Sequence, residues 1–101
     1  MYLVIRRIKV HPHLVEESIR RIEQGLVPLV SRQAGFIEFY LAQVGANEGL
    51  TISIFETQQE AEAGNRASLA WAKEQMLPLA QGPAEIVGLG EVLIHKGKAD
   101  R

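Results

Sequence analysis

The hydrophobic period of this chain switches between two residues and about 3.6 four times, and that order of switches leaves few folds open. Residues 2–10 are rich in Val, Ile, Leu and Tyr and read as a strand. Alternation puts Tyr2, Val4, Arg6, Ile8 and Val10 on one face and Leu3, Ile5, Arg7 and Lys9 on the other. The first set is apolar except at Arg6, so it is the predicted core face. Val15, Ile19, Ile22, Leu26 and Leu29 then recur at helical spacing behind Pro12, which suits a first helical turn. Pro28 removes a backbone donor and is expected to kink or end this helix.

Gly35 opens the next segment. Phe36 to Val44 reads as a second strand, with Phe36, Tyr40, Ala42 and Val44 on one face, interrupted by Glu38, and Ile37, Phe39 and Leu41 on the other. Gly45-Ala46-Asn47-Glu48-Gly49 is a hairpin turn. Residues 50–56 form a third strand, Leu50, Ile52 and Ile54 opposing Thr51, Ser53 and Phe55. A second helix is predicted from about Gln58 to Leu77, with Thr57 as N-cap and Glu60 as its capping-box partner. Residues 84–95 read as the last strand, where Gly88 and Gly90 imply a bulge or a close backbone approach.

The order βαββαβ is the ferredoxin-like split βαβ pattern: an α+β fold with one antiparallel sheet and two helices on one face. Strands two and four also carry Ile37, Phe39, Leu41, Val87, Leu89 and Leu93, which are assigned to the opposite face. A bare monomer would then expose a large apolar patch, so a homodimer through the sheet face is expected. Residues 1–96 are expected to form a single domain and residues 97–101 a polar tail.

Charge and composition exclude several functions. Eleven Lys and Arg stand against twelve Asp and Glu, a formal net charge of -1, so no basic excess is available for phosphates and nucleic acid is not expected as a partner. Phe39 alone is no aromatic platform for RNA. The absence of cysteine excludes disulfides and thiolate metal sites. His11 and His13 flank Pro12 without a carboxylate nearby; a surface or capping role is expected, and no metal. The apolar run Tyr2 to Ile5 is short and followed by Arg6-Arg7, unlike a signal peptide or membrane anchor, so no membrane and a cytoplasmic setting are expected.

Asn65 is the chemically informative residue. On a helical wheel Ala61, Leu69, Ala72, Met76 and Leu79 fall on its side. A buried amide without partners costs about 1–3 kcal/mol, so Asn65 either bonds to a backbone carbonyl or buried water, or faces a polar cavity and a ligand oxygen. Trp71 lies at the edge of that stripe, beside Gly64, Ser68 and Gln75, and reads as packing or interface. Arg6 calls for a salt bridge to Glu38 or Glu91, with an anion or enolate clamp as the alternative. Tyr40 is expected in the core with its hydroxyl at the rim. Gly64 and Gly25 inside helices each cost about 1 kcal/mol against Ala; Gly64 makes room either for a ligand or for close helix packing.

Gly35-Phe36-Ile37-Glu38-Phe39-Tyr40, then Ser53-Ile54-Phe55-Glu56, then Ala61 and Asn65 to Trp71 on a helix, then Gly90-Glu91-Val92, together resemble the antibiotic biosynthesis monooxygenase (ABM) family over about residues 2–95. The resemblance implies a dimeric α/β barrel with a pocket in each subunit between sheet and helices. It also implies a range of activities: cofactor-free oxygenation of aromatic polyketides, quinol oxygenation, haem degradation. Haem degraders of the family use an Asn on the first strand and a Trp and an iron-ligating His on the second helix. Those roles fall by approximate register at Arg6, Asn65 and Gln75, which match none of them, so haem degradation is not expected.

No nucleophile–base pair, carboxylate dyad, phosphate loop or dinucleotide fingerprint is present. The expectation is a protein that binds a small apolar or aromatic molecule without a cofactor, Arg6, Tyr40, Asn65 and Trp71 being the candidate ligand-binding residues. The alternative is a cofactor-independent monooxygenase acting on an aromatic or quinol-type substrate, whose own carbanion reacts with oxygen while Arg6, Asn65 and Tyr40 act as donors.

Overall fold

In the computed structural model, residues 1–98 are described; residues 99–101 of the expected tail lie outside them. Strand β1 (Tyr2–Lys9) leads through a 3-10 turn (Pro12–Leu14) into a long helical rod made of α1 (Val15–Arg21), a π-helical stretch (Ile22–Leu26) and α2 (Val27–Ser31). Strands β2 (Phe36–Gly45) and β3 (Glu48–Phe55) form a hairpin, followed by α3 (Gln58–Gln75) and β4 (Glu85–Glu91). The sheet is antiparallel throughout, in the order β2-β3-β1-β4. This is the ferredoxin-like arrangement, with both helical rods on one face of an open sheet.

Pro28 does not end the first helix. It sits in the first turn of α2, where a missing N–H is no loss, and the turn before it is widened so that the Val27 N–H donates to the Ile22 carbonyl. The buried stripe is Ser18, Ile22, Leu26 and Val30, spaced by four residues. Such a stripe drifts by about 40° per step on an α-helix, and the wider π turn takes up the drift. Ile19, expected in the stripe, is exposed as a result, and Leu29 only packs at its margin.

Beneath the rods, Val4, Val10, Ile22, Leu26, Val30 and Phe55 join residues of and beyond α3 in one core. The predicted face of β1 is the observed one. That of β2 is not. A bulge between Phe36 and Glu38 adds one residue and reverses the alternation beyond it. Leu41 is thereby paired with Thr51 and Phe39 with Ser53, on the helix side, and both pack against the core. Tyr40, paired with Ile52, turns to the far face and is 41% exposed rather than buried in the core. Leu89 pairs with Val4 and so also belongs to the helix side, but it stays exposed. The far face is nevertheless apolar, through Leu3, Ile5, Leu50 and Ile52 rather than the residues expected. Gly88 and Gly90 lie opposite Ile5 and Leu3, and a Cβ on either would meet nothing within 4 Å. The last strand stops at Glu91, short of the expected residue 95, which leaves Leu93 and Ile94 88% and 90% exposed.

Thr57 caps α3 as expected: its Oγ1 accepts the Glu60 N–H at 3.2 Å. On α1, Glu17 accepts hydrogen bonds from Arg20 and Arg21. The Arg20 bond first, then the Arg21 bond, holds its carboxyl down to about 2. The contribution is therefore complete above the ordinary Glu value of about 4.3 and is lost as pH falls through about 2. Acid titrations of wild type and Glu17→Gln should differ above pH ~4.5 and converge towards pH ~2; curves separated by the same amount at every pH would refute this.

Candidate functional site

An open cavity of ≈ 480 Å³ lies between the helix face of the sheet, the π stretch and the second half of α3. Ile8, Val10, Ile22, Leu26, Trp71 and Met76 make up much of its apolar wall. Its polar end is formed by Arg6, Thr51 and Ser68, and Lys9 and Lys73 also line it.

Arg6 is on the core face of β1, 4% exposed, directly opposite Thr51 on β3. Its Nε donates to Thr51 Oγ1 at 3.3 Å and its Nη1 to Asn65 Oδ1 at 3.3 Å. The expected salt bridge is not formed. The β2 bulge turns Glu38 to the far face, where it accepts the Tyr40 hydroxyl at 2.8 Å. Glu91 pairs with Tyr2 at the other end of β1 and meets the N-terminal amine at 3.2 Å. Arg6 is thus a buried cation with neutral partners only. Burial pulls its guanidinium down to about 10, so it is charged at neutral pH but poorly solvated. Among the described residues its Nη2 makes no hydrogen bond, and no fully buried side-chain polar atom lacks one. Nη2 is therefore not fully buried, and Arg6 lines the cavity.

Asn65 is half-buried and satisfied by Arg6, not by a backbone carbonyl. It braces the guanidinium from α3 without itself lining the cavity. Trp71 both packs and lines the cavity. Its indole lies over Gly25 in the π stretch, where a Cβ would come within 2.8 Å of Cζ2. Gly64 serves packing: a Cβ there would fall 2.3 Å from Cζ of Phe55. Tyr40 is on the opposite side of the sheet and shares no cavity with Arg6. The structure thus brings together Arg6, Asn65 and Trp71 and leaves Tyr40 apart.

Thr51 and Ser68 were missed by sequence reasoning. Ser68 is one turn beyond Asn65, and its Oγ donates to the Gly64 carbonyl at 2.9 Å; helical spacing alone could have flagged it. Thr51 is found only through the β1–β3 register. His11 and His13 have ring centroids 6.2 Å apart, and no side-chain hydrogen bond caps the turn that His11 precedes. Among the described residues no three His, Cys, Asp or Glu side chains cluster, and no helix is long and apolar enough to cross a membrane.

A split βαβ sheet with an apolar cavity under its helices defines a small α+β single-sheet protein. The family model for antibiotic biosynthesis monooxygenases matches residues 1–68, and the chain belongs to that family. No curated protein matches it. Solved structures share its fold at low identity. A heme-degrader, MhuD from Mycobacterium tuberculosis with two hemes bound, is similar at 23% identity and TM-score 0.73, over 96% of this chain and 100% of that one. SnoaB, a cofactor-independent oxygenase from Streptomyces nogalater solved as a mutant, is similar at 18% identity and TM-score 0.68, over 96% and 97%. NE2512 from Nitrosomonas europaea, a protein of unknown function, is similar at 20% identity and TM-score 0.70, over 97% and 94%.

Proposed function

We propose that the protein binds a small apolar or aromatic molecule carrying an oxygen in the cavity beneath α3. The observation that supports this is Arg6: a desolvated guanidinium, without a carboxylate, presenting a free donor to an apolar space. Convergent polar groups in an apolar cavity are the ordinary composition of a ligand site. Residues 1–96 act as one domain in this reading, in the cytoplasm, and assemble as a homodimer through the far face of the sheet. Haem is not the ligand we propose, because the cavity is lined by no histidine and Gln75 stands near the place of the family's iron ligand.

Asn65→Leu tests the reading. The fold should persist with a loss of stability of about 1–3 kcal/mol, because the buried Arg6 Nη1 donor is left without its acceptor. Affinity for a panel of small phenols and quinones should fall because Asn65 no longer holds the guanidinium in place, by at most about one hydrogen bond, roughly 0.5–1.5 kcal/mol. Unchanged binding alongside lost stability would remove Asn65 from the site.

The same guanidinium supports a second reading, cofactor-independent oxygenation. A fixed cation in an apolar cavity favours the enolate or phenolate of a bound substrate, the form that gives its electrons to dioxygen. An oxygen electrode separates the two readings: consumption of dioxygen by protein and a quinol-type substrate together, above the rate of the substrate alone, selects the enzyme.

A further inference from the structure

The ligand's charge can be read from the cavity. The whole chain has twelve acidic residues against eleven Lys and Arg, yet among the described residues no Asp or Glu lines this cavity, whereas the cations Arg6 and Lys73 do. None of the glutamates on the strands flanking β1 pairs with Arg6: Glu48 bridges Arg7, Glu85 sits opposite Arg7 in the register, on the other face, and Glu91 meets the N-terminal amine. At the polar end the groups without a partner are donors. Among the described residues Nη2 of Arg6 makes no hydrogen bond, and the Thr51 hydroxyl accepts from Nε and donates to none of them. Ser68 already directs its hydrogen to the Gly64 carbonyl. A neutral alcohol or ketone would leave the buried charge uncompensated. An anionic oxygen would compensate it, and hydrogen bonds between charged partners are the stronger kind.

Building on the binding reading above, we propose that the ligand is an organic anion, an apolar body with one carboxylate or phenolate head, bound with its head on Arg6 Nη2 and the Thr51 hydroxyl and its body along Trp71 and Met76. Lys73 adds positive potential at the same cavity and favours entry of an anion.

The chain has a single tryptophan, and it lines the cavity, so Trp71 fluorescence reports occupancy. The experiment titrates the full-length protein with matched pairs: decanoate against 1-decanol, 1-naphthoate against 1-naphthalenemethanol, and 1-naphthol below and above its own ionisation. The anion should bind about tenfold or more tightly than its neutral partner. The first two pairs report a carboxylate head and the third a phenolate. In Arg6→Met the preference should collapse towards equal binding, while thermal stability holds or rises, since a buried charge is replaced by an apolar chain. Arg6→Lys should restore part of the preference. Equal binding of neutral and anionic members by the wild type, or a preference that survives Arg6→Met, overturns the charge assignment and leaves the binding reading standing. Binding of no member overturns both. If Arg6→Met does not fold, the wild-type pairs decide alone.

Discussion

Gly64→Ala is expected to destabilise the protein by about 2 kcal/mol, against what helix propensity predicts. Propensity alone favours Ala over Gly in a helix interior by about 1 kcal/mol. The site reverses the sign. A Cβ at residue 64 would lie 2.3 Å from Cζ of Phe55 and 2.8 Å from Cε2. Phe55 is 1% exposed, and its ring meets Phe36 edge-on at a centroid distance of 6.1 Å. It has nowhere to swing. Overpacking of this kind costs about 1–3 kcal/mol, occasionally more, and outweighs the propensity gain. For a domain of this length the melting temperature should fall on the order of 10 °C. Phe55→Leu in the same background should recover part of the loss, and a double-mutant cycle measures the coupling. An unchanged or raised melting temperature for Gly64→Ala would refute the packing account.

Ile52→Asp is expected to abolish the proposed homodimer while leaving each subunit folded. Ile52 lies on β3 between Ile5 and Tyr40, on the face without a helix. Gly88 and Gly90, also on that face, leave a flat floor for a second sheet to approach. An unpaired carboxylate buried in such an interface costs several kcal/mol, which is roughly a hundredfold or more in the dimer dissociation constant. Sedimentation should show wild type as a dimer and Ile52→Asp as a monomer at the same micromolar concentration. A monomeric wild type sinks the proposal. Leu41→Asp is the informative contrast. Leu41 packs against the core on the helix side, so that substitution should unfold the chain rather than merely separate the subunits.

The element order, the core face of β1 and the Thr57 cap of α3 were legible in the sequence, because each is a local pattern of spacing and residue type. Arg6 and Asn65 were legible as anomalies, each a polar group on an apolar face. That they bond to each other was not, because 59 residues separate them and no local rule relates a strand position to a helix position so far away. Tyr40 was misplaced for a related reason. One additional residue at the start of β2 reverses every side chain after it, and the stretch Phe36 to Leu41 is apolar enough to suit either alternation. The bulge is decided by what the sheet must pack against: Phe39 and Leu41 gain burial under the helices. The same holds for Pro28, whose local chemistry says stop, but whose helix continues through a π turn that keeps Ile22, Leu26 and Val30 in the core. Local spacing and residue type set which elements form and which residues are out of place. Tertiary structure alone decided which of those residues meet, because register and helix docking are fixed by the burial of the whole core and not by any single segment.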